Sequence, residues 1–252
     1  MNTRIKRLLN VATFIGVLAF THILHSKTIR VAVIDTGLDS SLMNESFLCA
    51  QGHKDFTDTS LNDNDGHGTS ISGLIDQHVK GQLLGEVPIK NILKSTEDYC
   101  QIIIKIFDPA SNKSTIETTV KAFEYAMSLK VDYINYSAGG LEYSFSEHMV
   151  IKKVLDAGIK VIVAAGNKSS NLNKKPFYPA KLDSRLIVVG NLNFRHQRSP
   201  TSNYGEDVDT WEIGERAVSY RTSNLVSVMT GTSQAAAIHT GKLIKKQLKS
   251  RP

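Results

Sequence analysis

Five short, nearly unbroken apolar runs, residues 29–34, 102–107, 131–136, 159–165 and 186–189, limit what this chain can fold into. A strand with one wet face alternates apolar and polar residues, so runs that do not alternate must be buried on both faces. Segments of helical periodicity lie between them. Ser114 with Glu117 reads as a capping box ahead of Ile116, Val120, Phe123 and Met127. Ser144 with Glu147 reads as another, ahead of Met149, Val150, Val154 and Leu155, and Gly158 suits the helix exit. Strands alternating with helices predict an α/β fold: a single-domain, doubly wound, mostly parallel sheet with helices on both faces and right-handed crossovers. The length of 252 residues fits one such domain. Segments 55–65, 168–175 and 193–207 are rich in Asn, Ser and Asp and read as polar surface loops.

Functional groups in doubly wound sheets gather at the carboxyl ends of the strands, where Asp35, Ser137 and Asn167 fall. Four glycine-flanked segments carry the chemistry: Asp35-Thr36-Gly37, Asp65-Gly66-His67-Gly68-Thr69, Ala164-Ala165-Gly166-Asn167 and Gly231-Thr232-Ser233. Amide hydrolysis needs a nucleophile, a base to take its proton, a group that orients the base, and donors for the charge that develops on oxygen. Ser233 opens a small-residue helix, which places its hydroxyl and N–H at a helix N-terminus, an end suited to an oxyanion. His67 opens a second helix and is the base candidate, Asp35 its orienting partner, and Asn167 an oxyanion donor. Alone, each segment has a plainer meaning, a strand end, a polar turn or a helix cap. Asp63, Asp65 and His67 could also suggest a metal loop, but no second His stands at ligand spacing. Ile71 stands where a dinucleotide fingerprint needs Gly, and there is no phosphate loop, so a nucleotide-binding reading fails.

Together the four segments resemble the subtilisin-like serine proteases, the subtilase family, over residues 29–241. The resemblance implies an endopeptidase acting through an acyl-enzyme, with Asp35, His67 and Ser233 as triad and Asn167 as oxyanion residue. It assigns Ser137, Ala138, Gly139 and Gly140 to an edge that pairs with extended substrate. Ala164 and Gly166 fall on a wall of the pocket for the residue before the scissile bond, and Phe177 on its base. A bulky residue there implies a shallow pocket that prefers small side chains. The alternative is a catalytically silent relative that binds extended peptides along the same edge. The chain departs from the family at Ala237, where proline is usual, and at Ser70, where a second His is usual. Residue 29 enters the first strand directly after the leader, so no propeptide is expected, and the final family helices are expected to be missing. If the family chemistry holds, activity rises as His67 loses its proton near pH 6 to 7, by the usual imidazole range of roughly 6.5.

Residues 1–26 read separately. Arg4, Lys6 and Arg7 precede an apolar stretch over residues 8–24, the pattern of a cleaved export signal, which gives a secreted or periplasmic domain over 27–252. The alternative is an uncleaved anchor formed by residues 8–24, the one route to a membrane partner. The formal charge of +6 owes half its value to those three leader cations, so nucleic acid is not an expected partner. Lys242, Lys245, Lys246, Lys249 and Arg251 read as the solvated face of a terminal helix. Protein or peptide substrates and a monomer are expected. Cys49 and Cys100 either pair, closing a loop of about 50 residues, or remain two buried thiols. No cofactor is expected; structural calcium, frequent in the family, has no evident loop here.

Overall fold

In the computed structural model, which describes residues 27–83, 98–111, 113, 115–221 and 225–251, β1 (Ile29–Asp35) has every residue but Arg30 buried. Alternation of side chains across the strand sends Val31 and Val33 into one apolar cluster and Ala32 and Ile34 into the other. β1 is therefore central. The sheet adds β2 (Lys54–Asp55), β3 (Tyr99–Lys105), β4 (Tyr133–Tyr136), β5 (Lys160–Ala164), β6 (Ile187–Leu192) and β7 (Thr210–Ile213), in the order β2-β3-β1-β4-β5-β6-β7. Every pairing is parallel. Because β3 and β4 flank β1 on opposite sides, strand order reverses there, and the crevice at a switch point opens at the carboxyl ends of β1 and β4.

Among the described residues, four α-helices cover the two faces. On one, α1 (His67–Lys80) and α4 (Thr232–Lys249) bring Ile71, Leu74, Ile75, Ala236 and Ile238 onto Val31, Val33, Ile103 and Ile162. On the other, α2 (Thr115–Ser128) and α3 (Phe145–Asp156) bring Ala122, Phe123, Val150 and Val154 onto Ile102, Ile104, Ile134 and Val161. This is the expected mostly parallel α/β sheet.

The differences from the sequence reading are local. The buried face of α2 is Thr118, Thr119, Ala122, Phe123 and Ala126, and Ile116 is exposed. Ser114, the expected cap, lies outside the described residues, as do the leader over 1–26 and with it the signal or anchor. Ser144 caps α3, accepting from Glu147 N–H (3.3 Å), but the Glu147 side chain turns inward to accept from Tyr136 Oη (3.2 Å) instead of completing a capping box. Ile151 rather than Met149 is buried on that helix. A two-residue β2, the half-buried β7, and the antiparallel hairpin of β8 (Ala217–Tyr220) with β9 (Val226–Met229) have no long apolar run and were not legible. Cys49 and Cys100 are joined in a disulfide, which ties the chain ahead of β2 to the start of β3.

Candidate active site

The carboxylate of Asp35 closes β1 and is buried. Its Oδ1 accepts from Thr36 N–H (2.8 Å) and stands 2.7 Å from His67 Nδ1. What brings the two together is a close contact of glycine-bearing backbones. A Cβ on Gly68 would lie 2.4 Å from the Gly37 carbonyl oxygen, so only glycine permits the approach. Gly68 N–H then donates to Thr36 Oγ1 (2.8 Å), which itself donates to Asp63 Oδ1 (2.8 Å). Asp63 collects Gly66 N–H (2.8 Å), Thr69 N–H (2.8 Å) and Thr69 Oγ1 (2.6 Å) as well. Burial pushes that carboxyl up, but these hydrogen bonds outweigh it and hold its pKa below the usual range. A carboxylate whose ionised form these hydrogen bonds favour thus knits the two segments that carry Asp35 and His67.

His67 is the first residue of α1, behind Gly66 in the left-handed region at φ +94°. Its imidazole is 27% exposed. With Nδ1 bonded to Asp35, the proton sits on Nδ1 in the neutral ring and Nε2 is left as the base. Burial alone would push the imidazole down; the Asp35 carboxylate, with Asp65 and Asp63 behind it, pushes it up to about 9 instead.

Ser233 lies in the first turn of α4, behind Gly231 and Thr232. Its hydroxyl donates to the Ser137 carbonyl (3.3 Å) rather than to His67, and Ser137 Oγ donates to the Ser233 carbonyl (3.4 Å). Catalytic hydrogen bonds in unliganded sites commonly close only when substrate is present. Asn167 follows Gly166 at the exit of β5. Thr232 N–H (3.0 Å) and Thr232 Oγ1 (3.1 Å) both donate to its Oδ1, which fixes the amide so that Nδ2 is the end left to donate. The turn beneath is held by Asn203, fully buried, whose Nδ2 donates to the Ala165 carbonyl (2.8 Å) and whose Oδ1 accepts from Lys168 and Ser170 N–H (3.0 Å each).

A cleft of about 380 Å³ joins Ser233 and Asn167, lined also by Ser137, Ala138, Gly139, Ala164, Gly166 and Phe177. Phe177 fills its floor: a Cβ on Gly166 would lie 2.8 Å from the ring, and one on Gly139 2.7 Å from it. Gly140 is already paired with Tyr178, through bonds of 2.9 and 2.8 Å in both directions, so the edge open to an added strand is Ser137 to Gly139. Ser70 faces the hairpin, its carbonyl accepting from Ser219 Oγ (2.6 Å), and Ala237 is buried in α4. Among the described residues, no group of three His, Cys, Asp or Glu side chains is placed to hold a metal ion.

The structure thus brings Asp35, His67, Ser233 and Asn167 to one end of the sheet. Thr36, Asp63, Thr232 and Asn203, which orient them, were missed. Asp63 read as part of a polar turn and Asn203 as part of a surface loop; neither segment's composition signals burial, since their partners are distant in the chain.

Comparison with known proteins places the chain beside proteolytic enzymes. The model of the "Subtilase family" matches residues 26–247. The chain is 30% identical over 229 residues to the major intracellular serine protease of Bacillus subtilis (strain 168), covering 86% of this chain and 67% of that one. It is 31% identical over 211 residues to subtilisin E of the same organism, covering 82% of this chain and 52% of that one. It therefore spans about half to two thirds of these relatives' length. Among solved structures, a cold adapted subtilisin-like serine proteinase superposes with a TM-score of 0.70 at 21% identity, over 88% of this chain and 76% of that one, a likeness of fold.

Proposed function

This chain belongs to the subtilase family of serine-type endopeptidases, and from that premise we propose that it cleaves peptide bonds through an acyl-enzyme formed on Ser233. The Asp35–His67 contact of 2.7 Å, at the same sheet end as Ser233 and Asn167, carries the reading. Extended peptide adds along Ser137 to Gly139, and the side chain before the scissile bond enters the cleft between that edge and Ala164–Gly166. His67 Nε2 takes the proton of Ser233 as Oγ attacks the carbonyl carbon. Asp35 holds the ring in orientation and stabilises the imidazolium. Negative charge on the carbonyl oxygen is met by Asn167 Nδ2 and by the N–H of Ser233, which lies in the first turn of α4, where backbone N–H groups have no helical partner. The imidazolium then returns its proton to the leaving amine, and water repeats the sequence to release the acid.

Phe177 in the cleft floor supports a preference for small side chains before the scissile bond. All these groups come from one chain, in keeping with a monomer, and none of the steps calls on a cofactor. The Cys49–Cys100 disulfide, together with the basic and apolar leader, supports export to an oxidising compartment.

The test is labelling of the full chain with a fluorophosphonate probe, beside Ser233→Ala, with folding followed by circular dichroism. Labelling of the parent alone is expected. A folded parent that stays unlabelled would reject the acyl-enzyme reading in favour of peptide binding without catalysis.

A further inference from the structure

Behind the loop that leads into α1 lies a buried ion pair that the proposed chemistry does not use. Lys105 is the last residue of β3, in register with Asp35 at the end of β1. Its side chain is 0% exposed and that of its partner Asp108 1%. An ammonium and a carboxylate taken out of water need full compensation, and the compensation here is specific. Lys105 Nζ donates to Asp108 Oδ2 (2.6 Å) and to the Asn62 carbonyl (2.5 Å). Asp108 Oδ2 also accepts from Asn64 Nδ2 (2.9 Å), and its Oδ1 from Ala110 N–H (2.8 Å). The pair therefore grips the residues on both sides of Asp63, and Asp63 in turn holds Thr36, Gly66 and Thr69 around His67.

We propose that Lys105 and Asp108 are positioning residues for His67: they fix the 62–64 segment so that Asp63, and through it the start of α1, presents the imidazole to Asp35. The kinetic part of this proposal rests on the protease reading above; its structural part does not. An ordinary buried pair would add nothing to the alignment of a side chain it does not touch. This one is joined to His67 through Asn62, Asn64, Asp63 and Gly66, all within the loop that enters α1. The charged groups that act on the imidazole are Asp35 from β1 and Asp63 and Asp65 from the loop; Arg221, just after β8, packs the aliphatic part of its side chain near Gly66. Loosening the loop moves two of the three carboxylates.

Two variants of the full chain test it. Lys105→Met with Asp108→Leu removes both charges, a change that buried pairs often tolerate in stability, and Asp108→Asn keeps the shape while breaking the ion pair. His67 is followed by NMR titration, with thermal unfolding and, on a peptide substrate, kcat and KM. In a folded variant, His67 is expected to titrate at least about one pH unit lower than in the parent, because its carboxylates are no longer held in place. A fall of about tenfold or more in kcat with KM within about twofold is expected beside it, the cost of a misplaced base. A folded variant, either one, whose His67 titrates as in the parent overturns the proposal. The titration needs no turnover, so it decides the point even if the chain proves catalytically silent, an outcome that would fall on the protease reading alone.

Discussion

His67 Nδ1 stands 2.7 Å from Asp35 Oδ1, and this contact raises the pKa of the imidazole. An imidazole in water titrates near 6.5; here burial works downward, and Asp35, Asp65 and Asp63 carry the pKa up to about 9. In the proposed mechanism the free base is the active form, so the rising limb of kcat/KM is expected well above the pH 6 to 7 read from the sequence, toward pH 9. Stability runs the other way. A raised folded pKa means that protonated His67 stabilises the fold, fully below about 6.5, and that this contribution is lost as pH rises through about 9. Asp35→Asn should bring the limb back toward the ordinary imidazole range and flatten the fall in melting temperature between those values. A parent profile already complete at pH 7 would show that the carboxylate does not govern His67.

Asn167 is exposed, and its amide is oriented by the N–H and hydroxyl of buried Thr232. Asn167→Ala should lower kcat about 10²- to 10³-fold, on the order of 3 to 4 kcal/mol of barrier, with little change in KM. The melting temperature should fall modestly, because the buried Thr232 N–H and Oγ1 lose their acceptor, at a cost of about 1–3 kcal/mol. An equal rise in KM with kcat kept would assign Asn167 to substrate binding instead.

The contrast between Asp35 and Asp63 shows how far the sequence can be read. Asp35 ends an apolar run that can only be a strand buried on both faces, so its place at a strand end followed from local pattern. Ser233 and His67 were legible for a similar reason, each opening a helix behind glycine. Asp63 sits among Asn and Asp in a segment with the composition of a surface turn, yet it is 1% exposed, because its partners Thr36 and Thr69 close over it in three dimensions. Lys105 is hidden in the same way, a charge at the end of a strand whose counterion arrives three residues later. The short strands β7 to β9 have no periodicity long enough to stand out, and they form because the rest of the sheet and α1 provide edges and surfaces for them.

Gly68 tests the contact that brings the two segments together. Within a helix, Gly→Ala ordinarily gains up to about 1 kcal/mol. Here the added Cβ would lie 2.4 Å from the Gly37 carbonyl and 3.2 Å from Thr36 N, both backbone atoms that cannot rotate away. Overpacking of this kind costs about 1–3 kcal/mol, so the net effect of Gly68→Ala is a loss of stability, together with a loss of fluorophosphonate labelling as His67 is displaced. A melting temperature equal to or above the parent's would refute the account of the Gly37–Gly68 contact.

The disulfide joins residues 51 apart, and a loop of that size should contribute roughly 4 kcal/mol by restricting the unfolded chain. Cys100 lies near the start of β3, the end of the strand away from Asp35 and Lys105. Replacing both cysteines with alanine should lower the melting temperature clearly while the enzyme that remains folded keeps its turnover rate. A matching loss of turnover in folded protein would show that the bridge reaches the site.

In the proposed reading, Phe177 limits what enters the cleft. Its ring is 8% exposed and lies against both walls, close enough that a side chain on either Gly139 or Gly166 would collide with it. In that reading, substrate side chains meet the aromatic ring before they can extend. Truncation to alanine would open depth but also remove a buried ring, at a cost of about 3–5 kcal/mol. Phe177→Leu removes less volume and is the safer replacement. On a peptide library, the parent should favour small residues before the scissile bond, and Phe177→Leu should shift kcat/KM toward larger ones by about tenfold, since each added methylene accommodated is worth roughly 1–3 kcal/mol. A parent that already prefers aromatic residues would mean that the ring moves aside on binding, and that the floor seen here does not set specificity.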